Sequence, residues 1–212
     1  MTASAGDVLA DIRRSVRRQR IALGARERTQ RGKLVAQVLR QSHWLRPGKK
    51  IAAYLASQGE VDLTPVMQLA LKLRCDLYVP RVLSPHTAKM QFVRICSLSN
   101  LKPGAFGIDE PLRRHRQIIK AIDLDVVLMP LVAFDLYGTR LGMGKGFYDR
   151  CFARLAGPQR WRKPRLIGIG YDFQQVAALE RRSWDVPLDA AITDHGIHRF
   201  DIHSAQMEGT HT

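Results

Sequence analysis

The chain has 212 residues, enough for one domain with an ample core, and its 45% hydrophobic content fits a globular fold. No apolar run approaches the ~20 residues needed to span a bilayer, and Met1 to Val16 lack the hydrophobic core of a secretion signal, so a cytoplasmic protein is expected. Lys and Arg number 34 against 19 Asp and Glu, a formal net charge of +15, which favours polyanionic partners: nucleic acid, nucleotides, or a polyglutamylated or phosphorylated metabolite.

Residues 7 to 40 read as a long, very basic helical segment bent near Gly24. Ile12, Val16, Ile21 and Leu23 give an imperfect apolar stripe, and Leu34, Val35, Val38 and Leu39 resume it. Arg13, Arg14, Arg17, Arg18 and Arg20 crowd its first half, which is also what a solvated face looks like. Pro47 and Gly48 stop the helix. Lys50 to Leu55 then reads as a buried strand, followed by the polar loop Ala56 to Asp62 at a strand's carboxyl end, the edge where open α/β sheets bind ligands. Thr64 is expected to cap a helix beginning at Pro65 and running to about Leu73.

Cys75 to Val79 and Met90 to Ile95 are the next strands, and Leu101 to Gln117 reads as a loop rich in Gly and Pro. Ile122 to Met129 holds the apolar run Val126-Val127-Leu128-Met129, a buried strand. Arg165 to Gly170 is a further strand, Gln174 to Arg181 a short helix, and Ala190 to Thr193 the final strand. The alternation of strands and helices predicts an α/β fold with a doubly wound, mostly parallel, Rossmann-like three-layer sheet carrying helices on both faces. A single domain over 1–203 is expected, with 204–212 a disordered tail. Cys75, Cys96 and Cys151 are odd in number and lack metal-site spacing, so reduced thiols are expected. His195, His198 and His203 resemble a metal cluster only at first sight, since their region reads as a surface tail.

The stretch that organises the rest is Gly138-Thr-Arg-Leu-Gly-Met-Gly-Lys-Gly-Phe-Tyr-Asp-Arg150, between the Val126–Met129 strand and a helix predicted over Phe147 to Leu155. Strand, glycine loop and helix is a layout in which backbone N–H groups surround an anion. Missing Cβ atoms at Gly142, Gly144 and Gly146 let the backbone approach phosphate oxygens and adopt positive φ. Lys145 adds a mobile charge, and Asp149 offers a hard oxygen suited to Mg²⁺. Neither familiar phosphate motif is present. A Walker A loop needs four residues between its glycines and then Gly-Lys-Ser/Thr, and Gly-x-Gly-x-x-Gly fails at Phe147.

This run, with Met-Pro-Leu-Val-Ala-Phe-Asp before it, resembles the signature of 5-formyltetrahydrofolate cyclo-ligases (methenyltetrahydrofolate synthetases). Ile12-Arg13 with Arg20 and Ala22-Leu23 is similar to the family's basic first helix. Leu55-Ala-Ser-Gln-Gly-Glu-Val-Asp62 is similar to its folate-contacting segment, and Trp184-Asp-Val-Pro-Leu-Asp189 with Ile192-Thr193 to its C-terminal signature. The likeness spans roughly residues 12 to 194. It implies an ATP- and Mg²⁺-dependent closure of 5-formyltetrahydrofolate to 5,10-methenyltetrahydrofolate, acting on a reduced folate in the cytoplasm as a monomer.

The resemblance further implies an ATP loop from Arg140 through Leu141, Gly142, Met143, Gly144, Lys145, Gly146 and Phe147 to Tyr148, with Arg13 reaching ATP from the first helix. Met143 to Phe147 would also face the folate, Leu55 and Glu60 would contact its pterin side, Asp149 and Asp185 would hold Mg²⁺, and Lys145, Arg140 and Tyr148 would be catalytic. The chain departs from the family pattern at Leu9, where Lys or Arg is usual, at Met143, commonly Tyr or Arg, and at Arg182 and Trp184, where Glu and His are often found before Asp185. Two other readings stand beside this one. A nucleic-acid binder would use the Arg-rich helix, although no aromatic residues interleave with Arg13 to Arg31. A sugar-phosphate isomerase or kinase on the same scaffold would need a general base, for which Asp135, Tyr148 and Asp149 are the candidates.

Overall fold

The structure, a computed structural model, describes residues 5–84, 86–103, 109–111, 117–155 and 164–200. The basic N-terminal segment forms two helices, α1 (Ala5–Ala22) and α2 (Ala25–Gln41), separated at Gly24, whose extended ψ of 156° takes the chain out of the helix. β1 (Lys50–Ala53), α3 (Thr64–Lys72) and β2 (Asp76–Ser84) follow. β3 (Lys89–Ile95) returns antiparallel to β2. β4 (Leu101–Pro103) pairs with β5 (Asp109–Pro111), so part of the expected Gly/Pro loop is a small ribbon. After β6 (Ile118–Ile119) come β7 (Val126–Pro130), β8 (Ala133–Phe134), β9 (Arg140–Leu141), α4 (Phe147–Cys151), β10 (Arg165–Ile169), β11 (Ala190–Ile192) and β12 (Ile197–Arg199).

Eight strands form one sheet in the order β12-β11-β10-β7-β1-β2-β3-β6. Five neighbouring strands, β11-β10-β7-β1-β2, are parallel, with Ile51 of β1 registered against Leu77 on one side and Val126 on the other. Antiparallel strands close both edges. Successive side chains enter opposite faces. Ile51, Ala53, Val126, Leu128, Ile167 and Ile169 pack under α2 and α3 through Val35, Leu39, Val66 and Met67. Ala52, Val127, Met129 and Leu166 face the other side, against Phe152, Val186, Leu188 and Phe200. Burial on both faces is why these strands read as unbroken apolar runs.

The fold departs from the sequence reading at several points. α3 is capped by Leu63 rather than Thr64, and Asp62 Oδ1 accepts the Thr64 N–H at 2.9 Å in the capping side chain's place. The helix expected to Leu155 stops at Cys151 and passes into a 3₁₀ turn at Ala153–Leu155.

No helix forms over Gln174–Arg181. Only Asp172–Gln174 is a 3₁₀ turn, and tertiary partners take up the backbone and side-chain groups that follow. Gln174 Nε2 donates to the carbonyls of Leu131 (3.0 Å) and Val132 (2.7 Å), Val176 N–H donates to Phe134 O, and Leu179 N–H donates to Asp135 Oδ2. Ala190–Ile192 is not the last strand, because β12 pairs along it and carries His198 into the sheet edge. His195 and His198 both approach Asp172, at 3.3 and 3.9 Å, so they belong to the folded body rather than to a tail. His203 and the tail expected over 204–212 lie outside the described residues.

Candidate functional site

β1 sits between β2, which follows it in the chain, and β7, which the chain reaches only after leaving the opposite edge of the sheet. Strand order reverses there, and ligands of open α/β sheets bind outside the carboxyl ends of strands at such a point. A cavity of about 880 Å³ opens at this place. Leu55 lies beyond the end of β1 and Pro130 and Leu131 at the end of β7, while Pro80 and Val82 of β2 and Met90 of β3 make the far wall. Pro80 and Val82 are two residues apart and share a face, and Met90 is the cross-strand partner of Val82.

The glycine run enters from a two-stranded ribbon. β8 pairs with β9, and Val132 N–H donates to Leu141 O at 2.7 Å. From Gly142 the chain crosses the cavity mouth, with Met143, Gly144 and Lys145 exposed and lining it. Gly146 turns the chain into α4 with φ +66°, left-handed backbone that a Cβ would strain. Arg150 Nη1 donates to Lys145 O at 2.7 Å and closes the turn. Arg13 Nε donates to Gly142 O at 3.1 Å, so α1 braces the loop from behind. α4 has only five residues, and the loop's positive field therefore comes from side-chain cations more than from a helix dipole.

Arg140 reaches back across the loop. Its Nη2 donates to Asp149 Oδ1 at 2.6 Å, with the arginine side chain 5% exposed and the aspartate 22%. Arg140 Nε is buried with no hydrogen-bond partner among the described residues. Val186 N–H lies 3.5 Å from the same Asp149 oxygen, which brings the Asp185 segment against α4. Asp185 Oδ2 accepts the Arg182 N–H at 2.9 Å. The two carboxylates expected to hold a metal thus stand on adjoining segments lining one cavity. No third His, Cys, Asp or Glu among the described residues completes a protein cage around them. That donor set suits Mg²⁺, which is held by one or two carboxylates and keeps phosphate and water oxygens for its other positions.

Across the cavity, the loop after β1 is pinned by two tyrosine hydroxyls, with Arg20 packed against its Gly59. Tyr54 OH donates to Val61 O at 2.9 Å, and Tyr171 OH donates to Gly59 O at 3.2 Å. Arg20, 3% exposed, donates through Nη2 to Leu131 O. Gly59 has φ +75°, and a Cβ there would meet Arg20 at 3.0 Å, so this turn requires glycine. Ser57 N–H donates to Glu60 Oε2 at 3.0 Å. Burial raises the Glu60 carboxyl above its usual range, opposed by the Ser57 hydrogen bonds and by the Arg20 charge. Burial also raises the Tyr148 phenol, with the Glu60 charge adding to it, so Tyr148 is a neutral donor at any working pH.

Of the residues expected to contact ATP, folate or Mg²⁺, all but Arg13 line this one cavity: Leu55 and Glu60 on one side, the run from Arg140 to Asp149 and Asp185 on the other. Arg13 touches the loop's backbone instead. Leu9, on the same helix, does line the cavity. Sequence reasoning missed the far wall and Trp184's position on the rim. The alternation of Pro80 and Val82 was the available signal for the wall.

Asp135 is fully buried and accepts N–H groups from Tyr137, Thr139 and Leu179, which makes it a structural carboxylate rather than a general base. Burial pushes the Cys151 thiol up to about 11, which suits packing rather than nucleophilic attack.

A profile of the 5-formyltetrahydrofolate cyclo-ligase family matches residues 7–194. The chain belongs to this family. It is 36% identical over 180 residues to the 5-formyltetrahydrofolate cyclo-ligase of Haemophilus influenzae, covering 84% of this chain and 92% of that protein. It is 37% identical over 146 residues to that of Escherichia coli K12, covering 68% and 76%. Among solved structures, 5,10-methenyltetrahydrofolate synthetase of Aquifex aeolicus superposes with a TM-score of 0.77 at 34% identity, over 97% of this chain and all of the other. The synthetase of Mycoplasma pneumoniae gives 0.65 at 25% identity over 88% and 98%. The chain is thus a cyclo-ligase of one-carbon folate metabolism rather than a nucleic-acid reader. Among the described residues, no helix of this cyclo-ligase is long and apolar enough to cross a membrane.

Proposed function

We propose that the chain closes 5-formyltetrahydrofolate to 5,10-methenyltetrahydrofolate at the expense of ATP, with Mg²⁺ bound, working as a cytoplasmic monomer on a free or polyglutamylated folate. The observation that carries this reading is the convergence of the Leu55–Glu60 loop and the Gly142–Gly146 loop on one cavity of about 880 Å³, near the upper end of the size of small-molecule sites. The burial of apolar side chains on both faces of the sheet supports the doubly wound, Rossmann-like description of the scaffold.

In this reading the folate formyl oxygen attacks the γ-phosphorus of ATP and ADP leaves. Folate N10 then adds to the activated formyl carbon and loses its proton, and inorganic phosphate departs with the formyl oxygen. Phosphoryl transfer asks a protein for positioning and charge neutralisation. Lys145 and Arg140 neutralise phosphate oxygens, the amides of Gly142 to Gly146 orient them, and Tyr148 donates a hydrogen bond without ionising. Arg13 keeps the loop in place through Gly142 O. Glu60 accepts N–H groups of the pterin while Leu55 packs on it. Asp149 and Asp185 would hold Mg²⁺, which would supply neutralisation of phosphate charge. No covalent enzyme nucleophile is required.

The test is the growth of methenyl-folate absorbance on mixing protein, ATP, Mg²⁺ and 5-formyltetrahydrofolate. Wild type should turn over, and Lys145→Ala should lose about a hundred- to a thousandfold in turnover, the scale of removing one preorganised charge stabiliser. A Lys145→Ala protein that closes the ring at nearly the wild-type rate removes Lys145 from the mechanism.

A further inference from the structure

We propose that the indole of Trp184 is the platform on which the purine base of the nucleotide stacks; this rests on the nucleotide reading of the glycine loop given above. Trp184 lines the cavity yet leaves 61% of its surface exposed. Single exposed apolar side chains are ordinary, but this one is held in a defined attitude. Asp185 N–H donates to Arg182 O at 3.0 Å, and Arg182 N–H donates to Asp185 Oδ2 at 2.9 Å. The turn from Arg182 to Asp185 is therefore closed at its base, with Trp184 at its tip.

The Arg182 guanidinium lies over the indole, 5.6 Å from the ring centroid, and covers one face through a cation–π contact. Among the described residues, 61% of the Trp184 surface is left exposed for a ligand. Met143, exposed and on the same cavity, offers a polarisable side chain from the glycine loop.

Position selects the base over other ligand groups. Trp184 is the chain neighbour of Asp185, and Val186 is tied to Asp149 at 3.5 Å. A triphosphate lying on the glycine loop with its terminal group turned towards the Leu55–Glu60 loop would bring its nucleoside out at the exposed side of the cavity, where Trp184 stands. The pterin end of the folate is assigned to the separate Leu55–Glu60 loop.

The test is calorimetric titration of the full chain with Mg-ATP and with Mg-tripolyphosphate, which keeps the triphosphate chain and has no base. Trp184→Ala should weaken Mg-ATP roughly 5- to 100-fold, the range of one lost base–aromatic stack. It should leave Mg-tripolyphosphate within about twofold. Trp184→Phe should recover most of the loss, and tryptophan fluorescence should respond to Mg-ATP but not to tripolyphosphate. Equal weakening of both ligands, or an unchanged Mg-ATP affinity with a weakened 5-formyltetrahydrofolate affinity, overturns the platform alone. Wild-type protein that binds neither phosphate ligand overturns the nucleotide site itself, and the platform with it.

Discussion

The Arg140–Asp149 pair gives the sharpest test of how the glycine loop is held. Two unit charges about 4 Å apart attract by about 4 kcal/mol at an effective dielectric of 20. Exposed pairs return only about 0.2–1 kcal/mol, whereas deleting one member of a buried pair costs about 3–5 kcal/mol. Arg140 is 5% exposed and Asp149 22%, with 2.6 Å between donor and acceptor, so the pair lies towards the buried end with water screening one side of the carboxylate.

We therefore expect Arg140→Met to cost about 2–3 kcal/mol. Asp149→Asn should cost about 3 kcal/mol, because it leaves a buried cation whose Nε already lacks a partner among the described residues. The double variant should lose less than the sum, giving a coupling of about 2 kcal/mol in a double-mutant cycle. Urea unfolding reads all four proteins, provided the slope of the transition is unchanged. A coupling below about 0.5 kcal/mol would refute the reasoning, since the contact would then behave as a solvated surface pair.

Two further substitutions test the cavity's two sides. Burial raises the Glu60 carboxyl above its ordinary 4.5, so the acceptor carboxylate forms as pH climbs through that raised value. KM for folate should fall across this window and stay flat in Glu60→Gln. Stability runs the other way: the folded protein keeps this proton to higher pH than the unfolded chain does, so the favourable contribution is lost as pH rises through the same window. Urea midpoints of Glu60→Gln should lack that slope, and a wild-type-like slope in the variant would assign it to another group. Gly146→Ala should cost about 1–2 kcal/mol for a left-handed residue. Its methyl group also lies 3.2 Å from Arg150 Nη1, where the guanidinium clamps Lys145 O, so turnover should fall with stability. Unchanged turnover would mean that the loop's conformation is not what positions Lys145.

What the sequence reveals about this molecule divides along the range of the forces involved. The inner strands are legible because both their faces are buried, which leaves Val126 to Met129 without a polar break. The glycine loop and Asp149 are legible because their chemistry lies within a dozen consecutive residues. That Glu60 faces this loop came only from family resemblance, since nothing local ties residue 60 to residue 145. The Gln174–Arg181 segment was misread for the same reason: its backbone answers to Phe134 and Asp135, some forty residues away. β12 escaped notice because Ile197-His198-Arg199 is short and half polar, and it exists only by pairing with β11.

The N-terminal arginines show why net charge was the least decisive signal. A surplus of +15 with a crowd of arginines on one helix suits a nucleic-acid surface as well as it suits an enzyme of anionic substrates. The structure engages some of those cations internally, while Arg14, Arg17 and Arg18 stay exposed. Arg13 braces Gly142 O, Arg20 is buried against Leu131 O, and Arg28 Nη1 donates to Leu23 O. Arg31 bonds Asp194 at 2.5 Å and lies 5.7 Å from the centroid of the Tyr171 ring, whose hydroxyl holds Gly59. These are contacts to this chain's own carbonyls, carboxylates and aromatic faces, and they lead towards the loops that frame the cavity. A face reading a polyphosphate backbone would instead keep its guanidinium groups free for the ligand. The basic helices therefore help frame the two loops that line the cavity, with the rest of their charge left for solvent.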